Sequence, residues 1–146
     1  MRCIVQLYHL REGRIDVLLD TSAVLAVLLN EPSRTAILER TRGATLLAAP
    51  SLPWELGNAL VALTRRGPAS SRDLLRIWAT FLRVPVRYVD VAVPDALALA
   101  VAHRLYAYDA YVLQAARARR APLLSLDDQQ LAAGRAAGIE ILEVDA

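Results

Sequence analysis

Residues 15–29 read Ile15-Asp16-Val17-Leu18-Leu19-Asp20-Thr21-Ser22-Ala23-Val24-Leu25-Ala26-Val27-Leu28-Leu29. The first part is a short apolar run that stops at Asp20. The second part, from Thr21, is apolar almost throughout, as a buried helix would be. A strand that turns at an acid straight into a buried helix opens a β/α unit. The same alternation continues outward. Segment 33–42 reads as a more exposed helix opened by Pro32-Ser33, and 45–49 as a strand stopped by Pro50. Segment 53–66 reads as a helix with Pro53 in its first turn, closed by Gly67-Pro68. Ser70 or Ser71 caps the next helix, with Asp73 in its first turn, running to about Arg83. Then come a strand at 86–89, helices at 94–104 and 109–120, and a strand at 122–126. A helix at 128–137 is ended by Gly138, and a last strand occupies 139–144.

The pattern predicts five short apolar strands separated by helices. Strands that are apolar without clean alternation suit a parallel sheet covered on both faces. The predicted fold class is therefore α/β, a three-layer α/β/α sandwich around a five-stranded, mainly parallel sheet. Residues 15–146 form one domain. Residues 1–14 are an N-terminal arm whose place is open: an extra β-segment, a loose arm or a consequence of start-site choice.

Length and composition narrow the function. A chain of 146 residues holds one good core and is too short for two ordinary domains. At 55% hydrophobic it is no disordered chain. No apolar run reaches the ~18–20 residues of a membrane span, and no signal-peptide pattern is visible at the start. A single cysteine, Cys3, excludes an internal disulfide framework and a cysteine-based zinc site. These features predict a cytoplasmic protein with no membrane partner. All 17 basic residues are arginine, which excludes a P-loop lysine and Schiff-base chemistry. The arginine bias fits a GC-rich genome, and it also fits phosphate contacts.

Acids fall where open parallel sheets collect function, at the carboxyl ends of strands. Asp20 ends the first strand, Asp90 the third, and Asp127 and Asp128 the fourth. Glu55 and Asp109 sit in otherwise apolar helices. Taken singly, Asp20 and Asp109 read more readily as helix caps than as ligands, and Asp127-Asp128 could be a solvated turn. Glu55 is harder to dismiss, because a carboxylate among Trp54, Leu56, Ala59 and Leu60 needs a partner. Several carboxylates at one sheet edge need raised pKa values or a cation. Only two histidines are present: His9 lies in the N-terminal arm and His103 late in an apolar helix. An oxygen-only donor set selects a hard cation, Mg2+ or Mn2+, which suits phosphodiester hydrolysis.

Four segments, in order, resemble the PIN-domain ribonucleases, and within them the VapC-type toxins of type II toxin–antitoxin systems. They are Leu18-Leu19-Asp20-Thr21-Ser22-Ala23, Trp54-Glu55-Leu56-Gly57-Asn58-Ala59-Leu60, Tyr108-Asp109-Ala110-Tyr111-Val112-Leu113-Gln114-Ala115-Ala116 and Pro122-Leu123-Leu124-Ser125-Leu126-Asp127. The resemblance covers nearly all of 15–144. It implies a catalytic metal site of Asp20, Glu55, Asp109 and Asp127. Asp20 and Asp109 would be the firmest ligands. Glu55 would ligate directly or through water, and Asp127 would hold the metal or orient the attacking water. Ser22, Asn58 and Ser125 would orient the carboxylates. The implied reaction is attack by metal-activated water on RNA. Arg65, Arg66, Arg117, Arg119 and Arg120 would contact the RNA backbone, or equally form solvated helix ends. A homodimer and a small antitoxin are the implied partners.

An aspartyl-phosphate enzyme would use Asp20, but the dehalogenase-like type wants an aspartate where Ser22 stands, and a receiver domain wants a late lysine. A non-toxin PIN nuclease of RNA processing stays open. A catalytically inactive PIN-fold binding module fits less well, since all four acids are retained.

Overall fold

A computed structural model of the chain describes residues 14–67 and 69–144. Among the described residues, four strands form the sheet: β1 (Asp16–Leu19), β2 (Thr45–Ala48), β3 (Val86–Tyr88) and β4 (Leu123–Leu124). Their order is β3-β2-β1-β4, and every pairing is parallel. Seven helices lie among the described residues. They are α1 (Thr21–Leu28), α2 (Arg34–Arg40), α3 (Leu52–Arg65), α4 (Ser71–Phe81), α5 (Val93–His103), α6 (Ala107–Arg119) and α7 (Asp128–Ala136). None is long and apolar enough to cross a membrane. Apart from Arg14, the N-terminal arm lies outside the described residues.

The sheet divides two apolar cores. Val17, Leu19, Ala48 and Leu124 join Leu52, Leu56, Leu60 and Phe81 on one side. Leu18, Leu47, Val89 and Leu123 join Ala96, Leu99, Ala110 and Leu113 on the other. Successive residues of β1 thus alternate between cores, as the two-residue period of a strand requires. Both faces are covered, which explains why the strands read as apolar runs.

Local chemistry sets the helix ends. Ser70 caps α4, and Asp73 reciprocates by accepting from the Ser70 backbone and hydroxyl. Gly138 follows α7 at φ +75°, the left-handed conformation glycine adopts without strain.

The strand count corrects the sequence expectation, four instead of five. The segment expected at 139–144 makes a single parallel bridge, Ile141 to Leu123. Its partner is too short for more. β4 stops at Leu124 because the next amides bond to hydroxyls: Leu126 N donates to Ser22 Oγ at 2.9 Å and Asp127 N to Ser125 Oγ at 3.1 Å. Helix α6 starts at Ala107, two residues before the expected Asp109, so Asp109 sits inside its first turn.

The topology chooses where a site can form. The chain steps from β1 to β2 to β3 in one direction, then returns to place β4 on the other side of β1. Connections diverge between β1 and β4, leaving a crevice at their carboxyl ends. Asp20 and Asp127 follow these two strands. The helix after β2, α3, opens at the same edge and carries Glu55 in its first turn.

Central packing should dominate stability. Leu18→Ala, at a fully buried position of β1, should cost ~2–5 kcal/mol in urea unfolding. Leu75→Ala, on an exposed face of α4, should stay within ~0.5 kcal/mol.

Candidate active site

Asp20 is the fixed point of the carboxyl edge. It is 7% exposed and caps α1. Its Oδ2 accepts from Ser22 N at 3.2 Å, from the Ser22 hydroxyl, and from Ser125 Oγ at 3.0 Å. The capping reading of Asp20 is therefore met. Ser22 and Ser125 are the hydroxyls that hold the carboxylate, and each also receives a backbone amide of the β4–α7 turn.

Glu55 finds hydroxyls where a cation was sought. Ser51 Oγ donates to its Oε1 at 2.7 Å, and Thr21 Oγ1 to its Oε2 at 3.4 Å. Burial holds its pKa above the ordinary glutamate value. The Ser51 bond opposes this, the charges of Asp20 and Asp109 add to it, and the Thr21 bond opposes it again. Arg65 and Arg66 are exposed at the far end of α3 and take no part.

Asp109 lies in the first turn of α6 but caps nothing, since Tyr106 stands at the cap without a side-chain bond. Its pKa is also raised, first by burial and then by the charges of Asp20 and Asp127. Asp127 caps α7, its Oδ1 accepting from Gln130 N at 2.9 Å. The four acids are thus electrostatic neighbours, and among the described residues no basic side chain is a cause of either shift.

Other expected residues stay apart. Asn58 is exposed on α3, one turn beyond Glu55. The five arginines sit at the carboxyl ends of α3 and α6, whose first turns carry Glu55 and Asp109. At 1.5 Å per residue, Arg65 and Arg120 are each ~15 Å down the helix axis from those acids. Three polar residues went unnoticed in the sequence. Ser51 was discoverable, standing four residues before Glu55 at a helix start. Thr21 and the buried Gln130 carried no local signal.

The donor set fits a hard divalent cation. It offers only oxygens, hydroxyls orient Asp20 and Glu55, and neighbouring carboxylate charges add to the raised pKa values of Glu55 and Asp109. Among the described residues, no three histidine, cysteine or carboxylate side chains form a ready ligand cluster. The acids stand as repelling neighbours that a counter-charge would draw together. A groove of about 480 Å³ adjoins the Glu55 side, lined by Ser51, Trp54, Asp90, Val93 and Tyr111 among others.

The model of the PIN domain family matches residues 17–136. The chain belongs to the PIN-domain family, whose members are generally nucleases. Among solved structures it is similar to PAE2754 from Pyrobaculum aerophilum, with 22% identity, 82% of this chain and 84% of that one covered, and a TM-score of 0.61. It is also similar to a chain of VapBC2 from Rickettsia felis, solved bound to a DNA fragment from the promoter. There the identity is 13%, the coverage 90% of this chain and 100% of that one, and the TM-score 0.64. At such identities the likeness concerns the fold. No curated protein matches the sequence.

The raised pKa values carry a sign. A carboxyl whose pKa is higher folded than unfolded binds more protons in the native state, so it costs stability where ionised. That cost fades as pH falls through the folded pKa. Glu55→Gln and Asp109→Asn should therefore each raise the Tm of the metal-free protein by a few degrees at pH 7. The gain should shrink steadily in melts taken toward pH 4.

Proposed function

We propose that this chain is a Mg2+- or Mn2+-dependent ribonuclease, the toxin of a VapBC-like pair acting in the cytoplasm. One observation carries the reading: Glu55 feels the charges of Asp20 and Asp109, Asp109 feels those of Asp20 and Asp127, and no cation among the described residues is a cause of either shift. Structures built only for stability pair such charges or dispense with them.

Asp20 and Asp109 would hold the cation, with Glu55 and Asp127 beside them. When bound, the ion would lower the pKa of water and neutralise phosphate charge. Ser22 and Ser125 keep the Asp20 carboxylate in one orientation. Ser51 and Thr21 do the same for Glu55, whose raised pKa makes it the better proton acceptor toward a nearby water. RNA would lie along the groove beside Trp54, an exposed indole one residue from Glu55 on which a base can stack. The five arginines would meet only the flanks of a longer RNA.

Partners follow the same reading. Val93, Leu97 and Val101 recur every four residues on α5 and are all exposed. This stripe would cover itself against a second copy in a homodimer. An apolar cavity of about 110 Å³ between α1, α2 and β2 includes Val27, Leu28 and Leu38 and would take a side chain of the antitoxin. The Rickettsia felis complex offers the precedent of a VapBC pair.

The test is cleavage of a panel of structured RNAs by protein freed of any antitoxin. Activity should require Mg2+ or Mn2+, stop with EDTA, and fall at least ~10²-fold in Asp20→Asn and in Asp109→Asn. Equal cleavage by all three proteins would mark a contaminant and defeat the reading. For the dimer, Leu97→Asp with Val101→Asp should halve the mass seen by light scattering. An unchanged mass would place the interface elsewhere.

A further inference from the structure

Gln130 is 1% exposed, and its side chain reaches the innermost acid of the site. Which end of its amide faces Asp20 can be settled by counting protons. The Ser125 hydroxyl has one hydrogen. Asp20 Oδ2 lies 3.0 Å from it, and so does the near end of the Gln130 amide. With the amide oxygen there, one hydrogen would serve two acceptors. That oxygen would also stand 3.1 Å from both oxygens of the Asp20 carboxylate, with no proton between. With nitrogen there, both conflicts vanish. The amide donates toward Asp20 Oδ1 and Oδ2 at 3.1 Å and toward Ser125 Oγ at 3.0 Å. The other end then sets the amide oxygen 3.3 Å from the Asp109 carbonyl oxygen. That neutral contact costs less than the bonds to a carboxylate gain.

The two oxygens of Asp20 are then unlike. Oδ2 accepts from Ser22 N, Ser22 Oγ and Ser125 Oγ, besides its share of the amide. Among the described residues, Oδ1 has only its share of the amide. The Gln130 backbone meanwhile donates to Asp127 Oδ1 at 2.9 Å. We propose that Gln130 is a positioning residue that locks Asp20 with Oδ1 turned to a divalent cation and ties that orientation to Asp127. The inference rests on the metal-dependent reading above. Its chemistry is specific: an amide orients the carboxylate without neutralising it, whereas arginine or lysine in its place would compete with the cation.

The test pairs a metal-free measurement with a metal titration. In 15N-labelled protein, the Gln130 side-chain NH2 signals should exchange slowly with solvent and shift in Asp20→Asn. Fast exchange, or signals indifferent to Asp20→Asn, would overturn the proposal even if substitutions at 130 fail to fold. Gln130→Met keeps the volume and removes the donors. It should bind Mn2+ ~10–100-fold more weakly by calorimetry. Its kcat should fall with KM for RNA unchanged. Mn2+ affinity and kcat equal to wild type would overturn the positioning role and leave the nuclease reading standing. Failure of the wild type to bind Mn2+ would defeat the nuclease reading, and this proposal with it.

Discussion

Repulsion among carboxylates at one sheet edge is the constraint to which the rest of this chain answers. Asp20 is nearly buried, and Glu55 and Asp109 are half-buried beside it. No base among the described residues is a cause of the Glu55 or Asp109 shift. The fold supplies hydroxyls and an amide, groups that steer a charge while leaving it in place. Ser22, Ser125 and Gln130 converge on Asp20, and Ser51 and Thr21 on Glu55. The same hydroxyls take the amides of Leu126 and Asp127, so the sheet gives up a ladder position to brace the site.

Much of this was readable along the chain. The apolar runs marked β1 to β3 closely, because strands covered on both faces need side chains of one kind. The four acids were readable because each follows a strand or opens a helix, and parallel topology brings those points to one edge. What escaped depends on contacts distant in sequence. Nothing near Leu126 says that its amide will meet a hydroxyl 104 positions earlier. The early start of α6 was hidden because Tyr106 caps it without a side-chain bond. Gln130 carries no local signal, and its burial shows only where the chain brings it against Ser125, Asp20 and Asp109.

The arginines teach the complementary lesson. In the sequence, Arg117 follows Asp109 by eight positions and looks close. On a helix those eight positions are ~12 Å of axis, which carries the guanidinium toward the opposite edge of the sheet. Proximity in the chain and proximity in a β/α fold diverge wherever a helix intervenes.

The four acids are unequally secured, and this has a bearing on descent. Asp20 and Asp127 each cap a helix, so the fold keeps a use for them whatever the site does. Glu55 and Asp109 cap nothing and are disfavoured as ions. In a lineage released from selection for activity, drift would strip the second pair first and find the change favourable to folding. The first pair would persist as relics, and a surviving Asp20 alone would say little about whether such a descendant still works.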